Sequence, residues 1–189
     1  VNDTALIERI DALLVGGYIG KEKAAAAQAA VPVAESRILS WLRDMAEARE
    51  WARFGRFAAI GIHLHPVGLA PILLSVLALR VRGVNTEDLV GMLGELRSPE
   101  AVGPLARLLG ERHGQDPDSP GSQSLSLSAA CVRAMGEIGT PAAERELREI
   151  VSGDWPQELK EYAADELDSF GGPDDGGTGA SGHGQSTTA

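Results

Sequence analysis

Apolar residues recur along this chain at helical spacing, and glycine and proline cut the pattern at short intervals. Leu6, Ile10, Leu13 and Leu14 form one stripe, stopped by Gly16-Gly17. KEKAAAAQAA, residues 21–30, is rich in the best helix formers and ends at Val31-Pro32, since the residue before proline is pushed out of the helical region. Ile38, Trp41, Leu42, Met45 and Ala48 mark a third stripe. No β-branched run alternates long enough to be a strand. The pattern predicts an all-α protein.

The most heavily punctuated run, MLGELRSPEAVGPLARLLG at Met92–Gly110, explains the rest. Leu93, Gly94, Leu96, Ser98, Pro99 and Leu105 match Met135, Gly136, Ile138, Thr140, Pro141 and Leu147, each pair 42 residues apart. Upstream, Gly61, Pro66, Pro71 and Ile72 lie 33 before Gly94, Pro99, Pro104 and Leu105. Downstream, Leu167, Phe170, Gly171 and Pro173 lie 32 after Met135, Ile138, Gly139 and Pro141. A unit of 32–33 residues thus recurs, and the 42 spacing reads as the same unit with the loop-like HGQDPDSPGSQS, residues 113–124, inserted. Each unit reads as two helices. The first ends near its glycine, and Ser98 or Thr140 caps the second, with Pro99 or Pro141 at the first helical position, where the missing N–H costs nothing. Trp155-Pro156 opens a last helix by the same rule. One unit cannot bury its own stripe, so neighbours must stack.

On these residues the chain resembles the bacterial HEAT-repeat family, particularly the short repeats of phycobilisome lyases. VRAMGEIGTPAAERELREIV and the following LKEYAADEL carry the likeness, over roughly residues 49–173. The family's early arginine is replaced by Thr86 and Ser128, and its Asp before Pro by His65, Ser98 and Thr140. The charged ladder that links neighbouring units in many members is therefore mostly missing. The resemblance implies a short right-handed αα solenoid, an armadillo-like superhelix, of about three to four helix pairs. The expected organisation is an N-terminal helical cap over residues 1–48, HEAT-like repeats over 49–170 with the inserted loop at 113–124, and a disordered tail over 171–189, where GGPDDGGTGASGHGQSTTA has nothing to bury.

Charge changes the picture in one respect. Residues 1–112 hold 13 basic and 13 acidic residues, while residues 113–189 hold 4 and 14, so the second part carries the whole net charge of −10. That part would repel nucleic-acid phosphates. The lone Cys131 excludes an internal disulfide and reads as a small buried apolar residue. No signal segment opens the given sequence, and its most apolar stretch, residues 69–81, is too short to span a bilayer and holds Pro71. A cytoplasmic protein without membrane contact is expected.

Candidate chemistry is sparse. His63 and His65 in HLHP sit two apart, and metal binding there would need further ligands that no Cys-x-x-Cys or His-Glu-x-x-His pattern supplies. His65 instead occupies the cap slot of Ser98 and Thr140. In REWARFGRF, residues 49–57, Arg49, Arg53 and Arg56 fall on one helical face, and Phe54 and Phe57 point elsewhere, into a core. The glutamates and aspartates between Glu144 and Asp168 read as a solvated acidic surface. No catalytic residue, cofactor site or metal site is nominated.

Three functions are compatible with this reading. The leading one is a non-catalytic scaffold or adaptor that binds another protein, with Arg107, Glu111, Glu144 and Arg148 on the second helices, and Arg53 and Arg56, as contact residues. The second is a HEAT-like nucleic-acid-binding module using the Arg49–Arg56 face. The third is an enzyme on the same fold, a chromophore-lyase-like protein or a metal-dependent hydroxylase, although the His-Glu pairs of the latter are absent.

Overall fold

A computed structural model describes residues 2–113 and 124–170. They form ten α-helices and one short 3-10 turn, with no strand among them. In chain order these are α1 (Asp3–Leu14), α2 (Lys21–Ala30), α3 (Ala34–Glu47), α4 (Trp51–Leu64), α5 (Leu69–Leu79) and α6 (Thr86–Glu95). The 3-10 turn at Pro99–Ala101 leads into α7 (Val102–His113), and α8 (Ser124–Ile138), α9 (Pro141–Ser152) and α10 (Gln157–Phe170) follow. The expected inserted loop, apart from its end residues in α7 and α8, and the expected tail lie outside the described residues. Among the described residues, no helix is long and apolar enough to cross a membrane.

The helix boundaries follow from local chemistry. Thr140 caps α9 with its hydroxyl accepting from the Ala143 N–H at 3.2 Å, and Pro141 takes the first position. Asn85 caps α6 in the same way, its side-chain oxygen accepting from the N–H groups of Glu87 and Asp88 at 3.1 and 3.4 Å. Gly16 and Gly17 take positive φ just beyond α1. Three expectations are corrected. The Ser98 hydroxyl does not cap its helix; it donates to the Glu100 carboxylate at 2.7 Å. His65 is not an N-cap either: it closes α4 in a left-handed conformation, and Gly68 precedes α5. Arg49 lies outside α4, in a left-handed turn after α3, so it does not share a helical face with Arg53 and Arg56.

That turn follows a wider rule. The described non-glycine residues with positive φ are Arg49, His65, Arg80 and Arg97, and each stands just beyond the end of a helix, α3, α4, α5 and α6 in turn. Glycine is the usual occupant there, because a side chain in the left-handed region costs about 1–2 kcal/mol. A cation beyond a helix C-terminus is favoured by the negative end of the helix dipole, which offsets part of that cost. At Arg49 and Arg97 the turn is a Schellman closure: Glu50 N–H reaches back to the Met45 carbonyl at 2.9 Å, and Ser98 N–H to the Leu93 carbonyl at 3.3 Å.

Packing is ordered along the chain. α3 packs on α4, α4 on α5, α5 on α6, α7 on α8, α8 on α9 and α9 on α10. Contacts also skip one helix: α2 meets α4, α4 meets α6, α6 meets α8 and α8 meets α10, while α3 meets α5 and α7 meets α9. The most extensive of these joins α6 to α8. It is made possible by Gly94, whose backbone faces Ala134 so closely that a β-carbon would come within 2.9 Å of the Ala134 Cα. One apolar core runs from Ile10 and Leu14 through Ile38, Phe57, Leu73, Leu93, Leu105 and Met135 to Leu147 and Leu159. Trp41 is fully buried at its centre, edge-on to Phe57 at 6.3 Å, and its indole N–H has no hydrogen-bond partner among the described residues.

Candidate functional site

The residues expected to meet a partner do not form one cluster. Arg53 and Arg56 are turned inward toward α1. Arg56 donates from Nε and Nη2 to the two carboxylate oxygens of Asp11 at 2.7 and 2.9 Å, and Arg53 Nε adds a third bond at 3.2 Å. Arg53 also pairs with Glu50 at 2.8 Å. Burial pushes the Asp11 carboxyl up, but the bonds from Arg56 and Arg53 and their charges outweigh it and hold it below its ordinary value. These two arginines therefore fasten α1 to α4. Arg107 stands exposed on α7. Glu111, on the same helix, accepts from Arg80 at 2.8 Å, and on α9 Glu144 accepts from Arg148 one turn on at 2.7 Å. Phe54 and Phe57 are buried, as expected.

His63 sits in the last turn of α4 and His65 beyond it. Among the described residues no group of three or more His, Cys, Asp or Glu side chains is placed to hold a metal ion. Cys131 is buried.

A concavity lies between α4 and α6. It is a groove of about 530 Å³, roofed at one side by Tyr18 and Ile19 from the α1–α2 turn. Helical spacing builds its walls. Ala52, Gly55, Arg56, Ala59 and His63 line it from α4 at i, i+3, i+4, i+7 and i+11, and Asp88, Gly91, Met92 and Glu95 from α6 at i, i+3, i+4 and i+7. Trp51 and Gly83 meet at the end where both helices start, and His63 and Glu95 stand where both helices end. Among the described residues, Gly55 and Gly91 have nothing within 4 Å of the position a β-carbon would take. Tyr18 is 86% exposed. The groove is acidic: Glu87, Asp88 and Glu95 face it, while the charge of Arg56 is matched by Asp11. Glu87 also accepts from the Ser126 hydroxyl of α8 at 2.9 Å.

Beyond Glu95 the carboxylates continue across α8 and α10. Burial, and then the charge of Glu95, push the Glu137 carboxyl up, with Arg133 and Arg97 opposing. Burial, and then Glu137, push the Glu166 carboxyl up in turn. The cause is packing on glycine: the Glu137 carboxylate lies over Gly94 and the Glu166 carboxylate over Gly136. Sequence reasoning passed over the groove and Glu137, and it read Glu166 as part of a solvated acidic surface, whereas burial pushes that carboxyl up. The signal available was the pairing of small residues at Ala52, Gly55 and Ala59 with Gly91, between charges at helical spacing. It needed the knowledge that α4 and α6 are neighbours.

No protein-family model, no curated protein and no solved structure matches this chain. The described residues define an all-helical protein, and the groove's chemistry has to be read from the groove.

Proposed function

We propose that this chain is an interaction scaffold built from HEAT-like helical repeats, an αα solenoid of which α4–α5, α6–α7 and α8–α9 are successive pairs, α10 opens another and α1–α3 are the cap. The carrying observation is the contact order, in which α4, α6, α8 and α10 meet in sequence while α4 packs on α5, α8 on α9 and α10 on α9. The repeat of 33, 42 and 32 residues read from the sequence falls on these same pairs. Stacked pairs present a long surface of helices to a second protein.

Affinity capture from the native host with the full chain tests this. A specific partner, retained in proportion to the bait, is the expected result. Capture of nothing above a mock bait, or metal-dependent turnover by the purified chain, overturns the proposal. Charge reversal is best made at the exposed Arg107, because reversal at Arg53 or Arg56 would break the Asp11 pairing. That pairing also leaves the nucleic-acid reading little support: two of its three arginines are committed within the chain. A gel shift at low salt checks it, and no shift ends it.

A further inference from the structure

We propose that the groove between α4 and α6 is a docking surface for an amphipathic helix of a partner protein, one that carries an apolar ridge and a basic flank. This rests on the scaffold reading and names the chemistry of its partner.

Two walls of roughly co-directional helices make a trough about 20 Å long, from fourteen residues of α4 at about 1.5 Å each. A helix is the element that fills such a trough with an apolar stripe at i, i+3, i+4 and i+7. Trp51 and Met92 supply apolar and polarisable surface, and sulfur and aromatic rings adapt to varied aliphatic side chains. Gly55 and Gly91 let a second backbone approach closely. A glycine in a helix interior disfavours the helix relative to alanine. Among the described residues, nothing lies within 4 Å of the position a β-carbon would take on either one.

Charge selects the partner. Glu87, Asp88 and Glu95 border the groove, and Arg56 is neutralised by Asp11. A lysine or arginine flank is attracted there, and an acidic helix is repelled. At the Glu95 end the surface continues to Glu137 and Glu166, with Arg97 and Arg133 beside them, so the basic flank belongs toward the α6 wall.

The test uses the full chain and a fluorescently labelled synthetic amphipathic Leu/Lys helix, with the same peptide carrying Glu in place of Lys as control. The Lys peptide is expected to bind, more weakly as salt rises, and the Glu peptide not to bind. Filling the trough with Gly55→Leu and Gly91→Leu together should weaken binding by about tenfold or more. Thermal melting of that variant should be equal or higher, since leucine is the better helix former, which separates a blocked groove from a damaged fold. Asp88→Lys with Glu95→Lys should weaken the Lys peptide and admit the Glu peptide. Unchanged affinity in the filled variant, equal binding of both peptides, or no binding of the Lys peptide overturns the proposal. So does self-association of the chain that the filled variant abolishes, because the occupant is then a second copy. A partner captured from the host equally by wild type and filled variant overturns the groove assignment but leaves the scaffold standing. Capture of nothing by the wild type overturns the scaffold itself.

Discussion

Gly94 and Ala134 face each other with no room for a β-carbon, which on Gly94 would come within 2.9 Å of the Ala134 Cα. That contact brings α6 against α8. It also distinguishes two glycines three residues apart on one helix. Gly94→Ala should destabilise the protein by about 1–2 kcal/mol, because overpacking against backbone outweighs the gain in helix propensity. Gly91→Ala should stabilise it by about 0.5–1 kcal/mol, having nothing within 4 Å to meet. Denaturant unfolding of both variants decides the matter, and equal shifts would contradict the close approach.

Asp11 holds two arginines of α4 through three hydrogen bonds of 2.7–3.2 Å. Asp11→Asn should cost about 1–2 kcal/mol near neutral pH, since it removes charge-assisted bonds and leaves two cations half-buried. The fold holds this carboxyl below its ordinary value, so unfolding takes up a proton as the solution turns acid. Its contribution is complete above the ordinary Asp value of about 3.9 and is lost as pH falls through the lowered folded value. A wild-type stability profile that runs parallel to that of Asp11→Asn through this acid window would refute the pairing.

Glu137 and Glu166 have the opposite sign. Burial and neighbouring carboxylates raise both, so the fold disfavours their charged forms. Stability is then lost as pH rises from the ordinary Glu value of about 4.3 through the raised folded value. The double variant Glu137→Gln, Glu166→Gln should be more stable than wild type near pH 7, by no more than about 0.5 kcal/mol because solvent screens the row. Near pH 4 the difference should close. Melting temperatures across the range measure it, and a difference that grows on acidification would exclude the repulsion.

Leu105 and Leu147 are fully buried at matching positions of two units. Either Leu→Asp change should unfold the protein at 25 °C, since it buries an unpaired charge. The Leu→Ala versions should cost about 2–5 kcal/mol each and still melt cooperatively. Circular dichroism with thermal melting reads both, and intact melting of the Asp variants would contradict the shared register.

Arg97 closes α6 from the left-handed region. Arg97→Gly removes the steric cost and part of the dipole interaction, for a net gain of about 0.5–1 kcal/mol. Arg97→Val, β-branched and uncharged, should lose stability by more than that. Chemical denaturation of the pair gives the order, and a stabilising valine would show that the turn does not hold.

What could be read from the sequence divides by distance along the chain. The end of α2 at Val31-Pro32, the cap at Thr140-Pro141 and the stripe of Ile38, Trp41, Leu42 and Met45 all rest on residues within a few positions of one another and stand as expected, whereas Ala48, expected on the same stripe, is the exposed C-cap of α3. The helical punctuation was legible because Gly and Pro recur at near-constant spacing. Asp11 lies 45 residues from Arg56. Nothing local marks that pairing, so arginines that hold α1 to α4 read as an exposed stripe. The α4–α6 groove was hidden for the same reason, since each wall alone is an ordinary polar face. The left-handed conformations at Arg49, His65, Arg80 and Arg97 were not foreseen because glycine, the usual occupant, is absent there, although the end of α6 near Gly94 was.

Those basic closures tie backbone geometry to the titration of the whole molecule. Glycine at Arg49, Arg80 and Arg97 would keep the same turns while removing three cations, taking the formal net charge from −10 to −13. The isoelectric point would drop and mutual repulsion between molecules would grow, while the Arg80–Glu111 ion pair is given up. Colloidal behaviour can thus be tuned at the joints of this protein without touching either wall of its groove.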